Sequence, residues 1–188
     1  MQPTRRYHGL AITLHWVMAL AFFAMLGSGL AMVHLELEQS LKFRMFQWHK
    51  SLGVLLLMAA VLRLMVKFST KQPPLPETMK PLEKKAAKAG HWAFYGWMLA
   101  LPIAGWVMVS ASPYGLPTIV FGWFEWPHIP NIAANETIEE AAEFVHQWLA
   151  YSFIALIGMH IAAVIKHWLV EKENLLPRMG IGKVKEKI

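Results

Sequence analysis

Apolar residues in this chain gather into four long blocks, and the short stretches between them hold most of the charge. The first block runs from about Leu10 to Val33, behind Arg5 and Arg6. At a helical rise of about 1.5 Å per residue it crosses a hydrocarbon core of about 30 Å. A signal peptide is the competing reading, since Gly29-Leu30-Ala31 is weakly cleavage-like. Its apolar core would cover only about 7 to 15 residues, so a retained helix is expected. The second block, about Met45 to Val66, follows a polar link from His34 to Arg44. The third spans about Gly90 to Ala111, with Pro102 as a kink that neighbouring helices can satisfy. The fourth runs from about Ile138 to Val170, and Thr137 with Glu140 makes a capping box at its start. The pattern predicts an all-α integral membrane protein, a bundle of four spans over 10–33, 45–66, 90–111 and 138–170. It forms one membrane domain covering 1–188, with an outer loop 112–137, a tail 171–188, no internal repeat and no second domain.

Four spans put both termini on one side. Arg5, Arg6, Lys67, Lys71, Lys80, Lys84, Lys85, Lys88 and the tail from Lys166 to Lys187 fall on that side, against Lys42, Arg44 and Lys50 opposite. By the positive-inside rule both termini are expected to be cytoplasmic. Pro73-Pro74-x-Pro76 with its lysines reads as a solvated inner link. The outer loop carries Trp123, Phe124 and Trp126, expected as an aromatic belt at headgroup level, with a donor-docking surface as the alternative.

Composition sharpens this picture. Of 188 residues 56% are hydrophobic and only 16% charged, which is a membrane composition. The net charge of +6 lies between apolar blocks rather than in one patch among aromatics, so it reads as topology and not as nucleic-acid binding. The chain has no cysteine, which excludes disulfides, thiolate-held iron–sulfur clusters and c-type haem attached through Cys-x-x-Cys-His. Any haem would be b-type.

Against this background the intramembrane histidines stand out, because ionisable side chains in a span are costly and by default mark function. His146 and His160 lie fourteen residues apart on the fourth span. Fourteen helical steps return to within roughly 40° of the starting direction, about 21 Å further along. Helix direction alternates, so His15 shares the level of His160 near the inner face, and His49 shares the level of His146 near the outer face. Paired imidazoles on facing helices are what bis-histidine haem ligation requires, and bundle cores house such cofactors. Gly53, one turn after His49, and Gly158, just before His160, fit the admission of a flat macrocycle. Core histidines without a task, a zinc site and a proton pathway are the alternatives. Zinc would be left with incomplete coordination by two histidines per level. Arg63 repeats the fourteen-residue step from His49, which brings it to the inner level as a haem-propionate partner or as a snorkelling cation. His91 and His167 at the inner surface could bond propionates or a quinone head group and carry protons, or have no task. His8, His34 and His128 receive no role.

LHW around His15, WHKSLG around His49, the arginine of VLRL, AGHWAFY around His91, the His146–His160 interval and the following KHW together resemble the prokaryotic cytochrome b561 family over about residues 7 to 180. The resemblance implies a four-helix bacterial inner-membrane protein with two b haems that exchanges electrons with the quinone pool. It carries His15, His49, His146 and His160 over as axial ligands, paired His15 with His160 and His49 with His146. Some members oxidise superoxide at the outer face and reduce ubiquinone, and the family resembles the cytochrome b subunits of membrane-bound hydrogenases and formate dehydrogenases. Here the outer surface carries Glu36, Glu38, Glu125, Glu136, Glu139, Glu140 and Glu143 against Lys42, Arg44 and Lys50, which counts against an anionic donor. The leading expectation is therefore transmembrane electron transfer between a periplasmic redox partner and quinone. The alternatives are a cytochrome b anchor for a larger dehydrogenase and an ion or proton pathway. The donor, the direction of flow, the kind of quinone and the oligomeric state are not written in the sequence.

Overall fold

A computed structural model describes residues 6–182; Arg5 and the tail lysines from Lys183 onward, counted above for topology, lie outside the described residues. Four long helices dominate: α1 (Gly9–His34), α2 (Gln39–Ser69), α3 (Pro81–Ala111) and α4 (Glu136–Leu169). All four are long and apolar enough to cross a membrane. Consecutive helices pack side by side, so the chain winds up and down as a bundle. Large apolar side chains cover the outside, among them Leu20, Trp48, Phe68, Met159 and Trp168, each half or more exposed. An apolar exterior of this extent is a lipid-facing surface rather than a wetted one.

Local chemistry sets the helix ends, and in three places the ends differ from the hydrophobic blocks. α2 begins at Gln39 because the Glu38 carboxylate accepts from the Ser40 and Leu41 backbone N–H groups at 3.0 and 3.2 Å. α3 begins at Pro81, well before Gly90, where proline fills a position whose N–H has no helical partner, and the Glu83 carboxylate accepts from Lys80 N at 2.9 Å. α4 is capped by Asn135, whose side-chain oxygen accepts from Ile138 N at 3.1 Å, and not by Thr137, which lies inside the first turn. The cap must have extended backbone, and Asn135 has it at φ −106°, ψ 93°. Polar ends thus carry the helices beyond the apolar core at both faces.

The outer loop is more ordered than a plain connection, and it departs from an all-helical chain. It contains a two-stranded antiparallel hairpin, β1 (Thr118–Val120) and β2 (Phe124–Trp126), with Thr118 opposite Trp126. Phe121 and Gly122 take positive φ, 48° and 77°, the combination that short hairpin turns favour, and Trp123 N closes the turn on Val120 O at 2.9 Å. Ser51 of α2, which is 3% exposed, fastens the hairpin to the bundle. Its hydroxyl lies 2.8 Å from Gln47 O and 3.1 Å from Ile119 O, and it accepts from Phe121 N at 3.2 Å. Lys50 Nζ donates to Pro117 O at 3.1 Å, and Trp106 Nε1 to Pro127 O at 2.8 Å. The hairpin is a bonded cap over the outer ends of α2 and α3.

At the other end the tail returns to the bundle. A 3-10 turn, Leu176–Met179, is followed by Gly180 at φ 84°, where a Cβ would also stand 3.2 Å from Ile12 Cγ2. Tyr7 N donates to Arg178 O at 3.1 Å, Trp16 Nε1 to Met179 O at 2.9 Å, and Arg178 Nη1 to Pro74 O at 2.7 Å. Both described chain ends therefore meet at one end of the bundle.

Between these ends the core consists of Met18 and Phe22 on α1, Leu56 and Ala60 on α2, Met98 and Leu101 on α3, and Phe153 on α4. Phe153 meets Phe22 edge to face at 5.0 Å and Phe94 at 5.8 Å. Such pairs add to their area burial, so this layer is a firm centre for the bundle.

Ser51→Ala leaves the Phe121 N–H without its acceptor in a buried place. We expect a loss of about 1–3 kcal/mol in stability, the usual result of orphaning a buried group, and faster proteolysis between Pro117 and Trp126, read by thermal unfolding and limited digestion.

Candidate functional site

Each of the four intramembrane histidines is half-buried and faces another across the bundle. The His15 and His160 rings stand 6.4 Å apart between centroids, at 69° between planes. The His49 and His146 rings stand 6.3 Å apart at 70°. The pairing expected from helix direction and depth is thus the pairing by proximity, and the two pairs share nearly the same geometry.

What lies behind each ring distinguishes them. His146 Nδ1 is 3.0 Å from Leu101 O, a carbonyl that can only accept. His146 therefore carries its proton on Nδ1 and leaves Nε2 with a free lone pair. His49 Nδ1 is 3.2 Å from Ser28 Oγ, whose own hydroxyl donates to Met25 O at 3.0 Å. His15 Nδ1 is 3.3 Å from Arg63 Nη2, while Arg63 Nη1 donates to Ala11 O at 3.1 Å. The His160 ring packs edge to face on Phe94 at 5.2 Å. Trp16, tied to the tail, packs on His15 at 5.0 Å.

The glycines next to the rings are Gly105 and Gly29. A Cβ at Gly105 would lie 3.1 Å from His146 Cε1 and 3.2 Å from its Nδ1, and one at Gly29 would lie 3.6 Å from His49 Cε1. Gly53 instead faces Met25, and a Cβ at Gly158 would meet nothing within 4 Å. Absence of a side chain at Gly105 is what lets α3 approach α4 and its carbonyl at Leu101 reach His146.

The remaining candidates collect at the inner end. Arg63 lies beside His15, and Tyr7 and Tyr95 are its neighbours. His91 is within electrostatic reach of both His15 and His160. His167 is 8% exposed, and its Nδ1 lies 2.5 Å from Glu171 Oε2. Lys166 bonds the same Glu171 at 2.6 Å and also Glu83 across on α3. Lys67 caps the faces of Trp92 and Tyr95 at 4.9 and 5.0 Å. His8 accepts from Leu10 N at 3.3 Å as the cap of α1, and His34 bonds the Tyr151 hydroxyl at 3.1 Å.

Residues 6–182 match the family described as prokaryotic cytochrome b561. The chain belongs to the prokaryotic cytochrome b561 family. It is 35% identical to cytochrome b561 homolog 2 of Escherichia coli (strain K12), over 95% of this chain and 92% of that protein. It is 28% identical to the probable superoxide oxidase CybB of Yersinia pestis, over 93% of this chain and 96% of that one. Identity to cytochrome b561 homolog 1 of Escherichia coli (strain K12) is 25%, with coverage of 93% and 96%. Membership makes this a membrane electron-transfer protein of the b-haem class.

The histidine pairs fit such a group. If each of two facing imidazoles bound one metal at about 2.0–2.1 Å, the ring centres would stand about 6 Å apart. Both observed separations match it. A single metal ion held by clustered donors is a poorer fit, since among the described residues no three His, Cys, Asp or Glu side chains converge.

Of the supporting residues, Ser28, Gly29, Leu101 and Gly105 were not singled out in the sequence. The run of small residues in LGSGLA, at the depth of His49, is a visible trace of Ser28 and Gly29, and Leu101 and Gly105 have none.

Gly105→Ala should displace the His146 ring and lower haem retention, whereas Gly96→Ala, with open space at its Cβ, should retain haem as the parent protein does; pyridine haemochrome content per chain measures both. Hydrogen bonds from Lys166 and then His167 hold the Glu171 carboxyl below its ordinary value of 4.5. A depressed carboxyl contributes stability above its unfolded value and loses it as pH falls through its folded one. The inner end should accordingly be steady from pH 5 to 8 and loosen only below about pH 4.5, and Glu171→Gln should flatten that acid limb in a pH series of melting temperatures.

Proposed function

We propose that this chain moves electrons across the bacterial inner membrane with two b haems, one held by His15 and His160 and one by His49 and His146, linking a periplasmic redox partner to the quinone pool. The observation that carries this reading is the doubled imidazole pair, 6.4 and 6.3 Å between rings, repeated at a fourteen-residue interval along α4. Haem b supplies reversible one-electron exchange at its iron.

The residues of the chain do the rest. His49 and His146 would bind with Nε2 because their Nδ1 atoms already have partners in Ser28 and Leu101. Phe22, Phe94 and Phe153 keep the space between the two levels dry. At the inner end Arg63 offers a cation beside the His15 ring. His91 and His167 lie where a quinone head group arriving from the membrane would need protons, and the bond between His167 and Glu171 supports proton carriage there. The excess of Lys and Arg at the end where the termini meet supports a cytoplasmic placement of both, within a single membrane domain.

The outer partner is read from charge. One relative bears the name probable superoxide oxidase. At the outer end of this chain Glu36, Glu38, Glu125, Glu136, Glu139, Glu140 and Glu143 outnumber Lys42, Arg44 and Lys50. That field steers a cationic or neutral reductant inward and slows an anion such as superoxide.

The purified protein should give a reduced-minus-oxidised b-type spectrum with two haems per chain. A folded but colourless preparation would sink the reading. His49→Ala should remove one haem and keep the other, and His15→Ala should do the reverse; loss of the same component in both would overturn the pairing. Stopped-flow reduction by a neutral or cationic donor should outpace reduction by superoxide, and added quinone should reoxidise the protein.

A further inference from the structure

The two imidazole pairs agree in ring separation and differ in what stands behind them. From that difference we infer that Ser28, the Leu101 carbonyl and Arg63 are positioning residues that set the outer site to a low reduction potential and the inner site to a high one, so that electrons run downhill from the outer end to the inner end. The inference rests on the reading of the four histidines as axial ligands.

At the outer level both rings face acceptors. Ser28 Oγ has an acceptor for its own proton in Met25 O at 3.0 Å, which leaves its oxygen free to accept from His49 Nδ1, 3.2 Å away. Leu101 O, 3.0 Å from His146 Nδ1, can only accept. With Nε2 given to a metal, both imidazoles donate N–H through Nδ1. Such a bond pushes electron density toward Nε2 and makes the ring a more basic ligand. A more basic ligand favours the oxidised metal. Lys50, the cation next to His49 in sequence, is drawn to Pro117 O on the hairpin instead.

At the inner level, among the described residues, neither ring has a hydrogen bond to an acceptor. His15 Nδ1 faces Arg63 Nη2 at 3.3 Å, and a guanidinium has five donors and no acceptor. Arg63 is anchored by Ala11 O at 3.1 Å, a contact independent of the His15 ring that holds its charge beside His15. His160 packs on Phe94, a side chain with no nitrogen or oxygen to accept a hydrogen bond. A fixed positive charge one hydrogen-bond length from a ligand ring favours the state with one more electron, and the low dielectric of a span strengthens that effect. Weaker ligand basicity and a buried cation act in the same direction.

The electron balance is simple. Each one-electron reductant oxidised outside delivers one electron, and two electrons with two protons reduce a quinone to a quinol at the inner end. With this ordering the equilibrium between the two sites favours the electron on the inner one, and the hydrogen-bond partners rather than the ligands set that bias.

Spectroelectrochemical titration of the intact two-haem protein in detergent or nanodiscs tests the assignment. Two one-electron components are expected, and His49→Ala should leave the higher one. Ser28→Ala should shift the lower component upward by about tenfold in its reduction equilibrium, about 59 mV for one electron, and leave the upper component in place. Arg63→Gln should lower the upper component alone, and Arg63→Lys, which keeps the charge, should restore most of it. The Ser28 and Arg63 variants retain all four histidines, so they report even if His49→Ala does not fold. If His49→Ala leaves the lower component, the ordering is reversed and the inference fails. It fails equally if Ser28→Ala moves neither component, or if Arg63→Gln and Arg63→Lys shift the potential alike. Fewer than two haems in the parent protein would instead overturn the reading of the ligands beneath it.

Discussion

An imidazole placed in hydrocarbon has two polar nitrogens and no water to satisfy them, and the interior of this protein is arranged around that constraint. In three of the four rings Nδ1 is engaged by a group on another helix: Ser28 on α1 for His49, Leu101 on α3 for His146, and Arg63 on α2 for His15. Each of these contacts joins two helices. The contacts that hold neighbouring helices together are therefore also contacts that hold the rings in place. Gly105 belongs to this arrangement too, since a Cβ there would press on the His146 ring at 3.1 Å.

Much of this was legible in the sequence because membrane spans simplify the problem. Once hydropathy gives four spans, alternation of direction assigns each histidine a depth. Depth then selects partners, so His15 with His160 and His49 with His146 could be matched without any tertiary information. The fourteen-residue interval also brought Arg63 to the inner level, where it lies beside His15. That success depended on α-helical rise being constant over long distances.

Features that hydropathy does not encode were not legible in this way. The choice of Asn135 over Thr137 as the cap of α4 depended on which residue has extended backbone. The outer hairpin is fixed by Ser51, a residue that reads as an ordinary small side chain in a span, and its turn depends on positive φ at Phe121, which sequence does not advertise. The return of the tail onto Tyr7 and Trp16 is a backbone-directed contact, and it was read only as a cytoplasmic extension. Ser28 and Leu101 act through one hydroxyl and one carbonyl, and a carbonyl has no sequence signature at all. The neighbours of the histidine pairs were thus hidden where the histidines themselves were plain.

Phe153 stands midway between His146 and His160 on α4, seven residues from each, and with Phe22 and Phe94 it forms a solid aromatic layer across the bundle. This layer is made wholly of the chain's own side chains, so the middle of the fold does not wait for any cofactor. The two imidazole pairs lie on either side of it, one beyond each face of the aromatic layer. In a bilayer, such a floor divides the interior into two compartments, so that a polar ring disturbed in one is screened by hydrocarbon from the other.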